Sequence, residues 1–292
     1  MNQTRLYFEC TNDEAKTLAR LVEDRFEDDS YPVAAFETDG ARQIWSISVY
    51  VPQGEADNDA TRLSALLTEA GVTAQIGREE LPDTDWVTAT LADLKPVRAG
   101  RFIVHGGHDR NAPSANDYAI EIEAGQAFGT GHHGTTAGCL DMLGECEKSN
   151  SFTNALDLGT GSGVLAVAIA KSTQAYILAT DIDPVSVTVA RENCRLNGVA
   201  SRVEVVCAAG FAHRRFAETG PFDLIVANIL AGPLQKMARD LARHTAPGAT
   251  IILSGLLPHQ QVRITATCRG HGLVFRRAHL RDGWLTLVLQ KD

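Results

Sequence analysis

Nowhere in the 292-residue chain does an apolar run approach the roughly 20 residues needed to cross a bilayer. The opening residues, M-N-Q-T-R-L-Y-F-E-C, lack the apolar stretch of a signal peptide. The expectation is a cytoplasmic protein with no membrane attachment. Cysteine is sparse and dispersed: Cys10, Cys139, Cys146, Cys194, Cys207 and Cys268 form no C-x-x-C pair, which favours buried free thiols over a redox or metal centre. The run H-G-G-H at 105–108 has the spacing of a ligand pair, but no Cys, Asp or Glu set completes it, and no metal is expected. Clustered cations are missing from the first third. Residues 1–85 hold 18 acidic against 7 basic residues, a net of -11, while residues 86–292 hold 18 against 20. A phosphate backbone needs clustered Lys and Arg, so direct nucleic-acid binding is not expected. The acidic excess fits either a solvated surface or a face that steers a basic partner.

What is present is periodicity. A strand is predicted over about 4–9, followed by a helix that Thr11 and Glu14 open at capping-box spacing and Ala15, Leu18, Leu21 and Val22 continue. Strands near 32–38 and 43–51, a helix from about Asp57 to Ala70 closed by Gly71, and a strand over 72–77 complete the order β-α-β-β-α-β. That order predicts a small α+β domain of ferredoxin-like fold over residues 1–80, a frame too widely used to name one function. Residues 81–100 read as a linker, with a proline at Pro82 and a short helix in D-W-V-T-A-T-L-A-D-L. Residues 101–292 read as an α/β domain, a Rossmann-like sheet covered on both faces. Its seven strands are predicted at 154–158, 176–181, 202–207, 222–227, 249–254, 273–279 and 284–290. Helices fall at about 135–147, 163–172, 184–197, 230–244 and 258–269. A short turn containing R-D-G lies between the last two strands, which should therefore pair as an antiparallel hairpin.

The segment D-L-G-T-G-S-G at 157–163 ends a buried strand and opens a helix, so ligand can lie directly on its backbone. A dinucleotide loop needs G-x-G-x-x-G, and its third glycine is replaced here by Val164. Pyrophosphate is therefore less well supported than S-adenosylmethionine, which has an adenosine but no phosphate. Gly159 and Gly161 are the loop candidates. A ribose acceptor is expected at the end of the second strand, where Asp181 stands 22 residues after Gly159. Asp183, followed by Pro184, reads as a helix N-cap. Asp157 can orient the loop through backbone hydrogen bonds.

Two further segments, A-F-G-T-G-H-H-G-T-T at 127–136 and D-L-I-V-A-N-I-L-A-G-P-L at 223–234, join D-L-G-T-G-S-G and D-I-D-P in one order. Together they resemble the bacterial ribosomal protein L11 methyltransferases over about residues 120–290. The resemblance implies a class I methyltransferase domain behind a small ferredoxin-like domain that captures the ribosomal protein. It implies methylation of lysine side-chain and N-terminal amines of ribosomal protein L11, with S-adenosylmethionine as donor. By motif match it carries the cofactor positions to Thr136, Gly159, Asp181 and Asn228. Where the family commonly reads T-H-P-T-T, this chain has His132, His133, Gly134, Thr135 and Thr136, from which a looser loop is expected.

The residues themselves agree on an amine acceptor. Asn228 ends the fourth strand, where its oxygen could accept from an amine or from the cofactor. It is followed by Ile229 and Leu230, without the N-P-P and aromatic ring that suit a planar nitrogen, which favours an alkyl amine. Thr136 could cap its helix or meet the cofactor carboxylate. His133 is a candidate proton acceptor, or else an exposed loop histidine like His132. Methylation of RNA or a small molecule stays open as an alternative, as does a binding module without turnover.

Overall fold

The structure, a computed structural model, describes residues 3–26, 29, 31, 33–39, 44–81, 96–122 and 133–292. Two units divide the chain, Met1–Asp85 and Trp86–Asp292. The helix predicted within the linker and the loop carrying His132 lie outside the described residues.

In the first unit the order is β1 (Gln3–Thr11), α1 (Asn12–Phe26), β2 (Val33–Asp39), β3 (Ile44–Pro52), α2 (Ala56–Glu69) and β4 (Gly77–Leu81). The strands form an antiparallel sheet in the order β2-β3-β1-β4, the ferredoxin-like arrangement. Alternation along β1 and β3 turns Leu6, Phe8, Ile47, Val49 and Val51 onto one face. There they meet Leu18, Val22 and Phe26 of α1 and Leu63, Leu66 and Leu67 of α2. Glu14 accepts the Thr11 amide at 3.0 Å and its hydroxyl at 2.7 Å, the contact that the capping-box spacing predicts. The last strand lies later than the predicted 72–77. Val72, Ala74 and Ile76 do alternate onto the core, but pairing with β1 runs only from Gly77 to Leu81. Burial supplies the period of a strand there without a partner strand.

The second unit opens with a three-stranded sheet that periodicity did not disclose: β5 (Val97–Ala99), β6 (Phe102–His105) and β7 (Tyr118–Glu121). Residues 97–99, read from sequence as the end of the linker, are thus a strand. There follow α3 (His133–Glu147), β8 (Asn154–Leu158), α4 (Val164–Ser172), β9 (Tyr176–Asp181), α5 (Pro184–Leu196) and β10 (Val203–Cys207). The short α6 (Arg214–Thr219), also unpredicted, leads to β11 (Phe222–Asn228), α7 (Ala231–His244), β12 (Thr245–Leu256), α8 (Gln261–Arg269), β13 (Leu273–Arg281) and β14 (Trp284–Lys291). The large sheet has the order β10-β9-β8-β11-β12-β14-β13. All neighbours are parallel except β14, which is antiparallel to both β12 and β13. Asp282 and Gly283 turn the final hairpin with φ of 49° and 82°, the mirror-image turn that matches strand twist.

Apolar runs on the central strands feed both faces. Leu140, Leu165, Ile169 and Ala190 pack on Ala155, Ile177, Leu224 and Ile252 from one side. Phe216, Leu234, Leu241 and Ile264 pack on Leu156, Ile225, Leu253 and Leu287 from the other. The sheet thereby delivers the ends of β8, β9 and β11 to a common edge. Among the described residues no helix is long and apolar enough to cross a membrane.

Candidate functional site

The turn after β8 is built from left-handed backbone: Gly159, Gly161 and Gly163 have φ of 75°, 54° and 83°. Its first two amides, those of Gly159 and Thr160, donate to the Thr180 carbonyl at 2.8 and 2.9 Å, tying the loop to β9. The Gly161 amide donates to Asp181 Oδ2 at 2.9 Å and the Asp183 amide to Oδ1 at 3.0 Å. Each oxygen of a carboxylate has two lone-pair directions, so Asp181 can still accept two more hydrogen bonds.

Beneath the loop Asp157 is fully buried. Its Oδ2 accepts from Thr160 Oγ1 at 2.6 Å and from the Ala166 amide at 3.0 Å, which ties the loop to the first turn of α4. Its Oδ1 is buried with no hydrogen-bond partner among the described residues. Burial pushes this carboxyl up to about 6, the Thr160 and Ala166 donors oppose the shift, and the charge of Asp181 adds to it.

Across the loop, β11 delivers Asn228 and the turn Ile229-Leu230. A Cβ on Gly159 would collide with Ile229, so a glycine allows the two turns to meet. Asn228 Nδ2 donates to Thr135 Oγ1 at 3.2 Å and reaches Thr136 Oγ1 at 3.5 Å. The result is a cavity of about 230 Å³ lined by Thr135, Thr136, the loop from Gly159 to Ser162, Asn228 and Trp284, among others.

Four sequence-predicted residues, Thr136, Gly159, Gly161 and Asn228, therefore share one cavity wall, and Asp181 holds the loop through Gly161. Asp183 caps α5, accepting from the amides of Val185 and Ser186 at 3.0 and 3.2 Å. Burial alone would raise its carboxyl, but these donors hold it below the usual range. The backbone of His133 opens α3, while its side chain lies outside the described residues. Gly134 is helical and close-packed where a looser loop was expected: its Cβ position lies 3.0 Å from the Arg281 carbonyl oxygen and from Trp284 Cδ1. Sequence reasoning missed Thr135, Ile229, Trp284 and Gly255 as wall residues. The turn R-D-G before Trp284 was a readable sign of a strand start, but not of its approach to α3.

The H-G-G-H run is spent locally. His105 is buried with Nδ1 3.0 Å from the Gly106 carbonyl, and His108 faces Asp109 at 3.2 Å. Among the described residues no three His, Cys, Asp or Glu side chains converge as metal ligands. Cys10, Cys139, Cys194 and Cys268 are buried thiols, Cys146 is half-buried and Cys207 exposed.

Known proteins share this plan. The family model described as "Ribosomal protein L11 methyltransferase (PrmA)" matches residues 10–292. The protein named ribosomal protein L11 methyltransferase in Agrobacterium fabrum is 49% identical over 292 residues, covering 100% of both chains. Its namesake in Brucella suis is 50% identical over 290 residues, covering 99% of this chain and 100% of the relative. The crystal structure of ribosomal protein L11 methylase from Lactobacillus delbrueckii subsp. bulgaricus superposes with a TM-score of 0.60 at 30% identity, covering 68% of this chain and 100% of that one.

Proposed function

The chain belongs to the ribosomal protein L11 methyltransferase family, and from that premise we propose that it methylates lysine side-chain and N-terminal amines of ribosomal protein L11 in the cytoplasm. Family and fold make it a methyltransferase that uses S-adenosylmethionine. The residues present suit that donor. Asp157 Oδ1, a buried acceptor without a partner among the described residues, matches a ligand bearing an ammonium group. Asp181 has lone pairs left for two ribose hydroxyls, and the backbone of Gly159 and Gly161 carries no Cβ to hold the ligand off. Thr136 would meet the donor's carboxylate near the positive end of α3.

The donor, when bound, supplies a methyl group on a sulfonium. The protein's part is to align a nitrogen lone pair with it and exclude other geometries. A free lysine amine has a pKa of about 10.4 and must shed a proton before it can attack. Asn228 carries the reading of the acceptor: its nitrogen is committed to Thr135 and Thr136, so its oxygen is the group that accepts an amine N–H. His133, at the start of α3, is assigned the amine's proton. The acidic first unit, with its net of -11 over residues 1–85, docks the basic protein substrate and counts against RNA as the acceptor.

Incubating the enzyme with methyl-labelled donor and separated ribosomal components tests this. Label is expected in L11 alone, and label confined to RNA would overturn the proposal. Asp181→Ala should weaken donor binding about ten- to hundredfold, because a buried ribose loses its acceptor. An unchanged Kd by calorimetry would reassign the ribose acid.

A further inference from the structure

Behind Asn228 lies a chain of buried hydroxyls. Asn228 and Ser254 are register partners on the adjacent strands β11 and β12. The Ser254 hydroxyl donates to the Thr135 carbonyl at 3.2 Å and meets the Thr286 hydroxyl at 2.9 Å. A hydroxyl has one proton to give, so with that of Ser254 committed to Thr135, Thr286 is the donor between the two. Thr135, Ser254 and Thr286 are 2%, 0% and 1% exposed, so water does not replace a missing partner. α3 settles onto this pair because residue 138 is glycine, where a Cβ would collide with the Thr286 hydroxyl. One turn earlier, Gly134 makes its own close approach to the β13–β14 turn. The first turn of α3 is thus seated at a fixed height, and that height places the Thr135 hydroxyl against Asn228 Nδ2.

We propose that Thr286, acting through Ser254, is a positioning residue for methyl transfer: the pair holds Thr135 where its hydroxyl locks the Asn228 amide with the oxygen presented to the substrate amine. The inference rests on the role given above to Asn228. Neither Thr286 nor Ser254 lines the cavity. Losing the Thr286 hydroxyl therefore loosens the alignment of the amine and leaves the donor's contacts in place. An amide free to turn offers its own N–H groups to the amine's lone pair and so occupies the electron pair needed to attack the methyl group.

Steady-state kinetics on L11 for Thr286→Val, Thr135→Val and the double variant, with calorimetric binding of S-adenosylhomocysteine, decide the matter. Thr286→Val should lower kcat about three- to tenfold, the worth of one ordinary hydrogen bond, with Kd held to about twofold. Thr286→Ser should restore kcat. In the double variant Thr286→Val should add nothing to the loss from Thr135→Val, since one acts through the other. Additive losses, a wild-type kcat in Thr286→Val, or a loss confined to donor affinity would overturn the proposal. Should Thr286→Val lose its cooperative melt, Ser254→Ala takes its place in the same cycle with the same expectations. Full kcat in Asn228→Ala would defeat the reading of Asn228, whereas a loss there with a silent Thr286 defeats the relay alone.

Discussion

Asp157→Asn separates the structural duty of a buried carboxylate from its charge. An asparagine whose oxygen takes the place of Oδ2 keeps the bonds from Thr160 Oγ1 and the Ala166 amide, and its nitrogen replaces an oxygen that has no partner among the described residues. The substitution removes the charge and buries two amide N–H donors, at a cost of about 1–3 kcal/mol that does not vary with pH. Because burial raises the Asp157 carboxyl from 3.8 to about 6, the unfolded chain ionises first as pH rises. Between those values the folded state binds more protons, so the stability of the ligand-free protein falls as pH climbs through the window and levels off above it. Two pKa units correspond to about 3 kcal/mol at neutral pH. The variant should therefore lose the slope between about pH 4 and 6. Donor binding should move the other way. A ligand ammonium favours ionised Asp157, so parent affinity should weaken by up to about tenfold per pH unit below about pH 6. The variant should bind about tenfold or more weakly at pH 7.5, without that dependence. Thermal melts and calorimetry with S-adenosylhomocysteine, which keeps the ammonium, read both effects. Equal affinity at pH 7.5, or a variant that retains the parental slope, would refute the reasoning.

Removing residues 1–80 leaves both apolar clusters of the second unit complete. The truncated chain should bind S-adenosylhomocysteine as before and fail to methylate L11. Normal turnover on L11 would remove the docking role from the first unit.

The parallel strands were the most legible part of the chain, for a physical reason. β8 and β9 appear at the predicted 154–158 and 176–181 because strands buried on both faces read as near-continuous apolar runs bounded by glycine or acid. The hairpin of β13 and β14 was legible from a turn too short for any crossover. β5 to β7 were not legible, since strands of three or four residues carry too few alternations to count. Residues 72–76 misled in the opposite sense, alternating onto a core without a strand to pair with. At the candidate site, the placement of Gly159, Gly161, Asp181 and Asn228 was legible because each stands at a fixed offset from a strand end. The contacts of Thr135 with Ser254 and of Ser254 with Thr286 span 119 and 32 residues, and nothing local marks them. Gly134 shows the limit of reading composition: the same missing Cβ that suggests a loose loop allows a helix to pack against the Arg281 carbonyl.

The site's walls also show where specificity has to reside. The cavity wall offers the Asn228 amide, threonine hydroxyls, the apolar Ile229 and Leu230, and Trp284. Such a set recognises an alkyl amine and distinguishes one lysine from another by little. Discrimination must then come from surface remote from the reacting nitrogen, where binding energy can be used to hold the amine in line. The first unit carries a net of -11 over residues 1–85, and on the proposed docking role that acid excess would steer a basic protein substrate. On the proposed reading, a cavity suited to an alkyl amine joined to capture by the first unit is an arrangement under which several amines of a single substrate can be modified by one cavity.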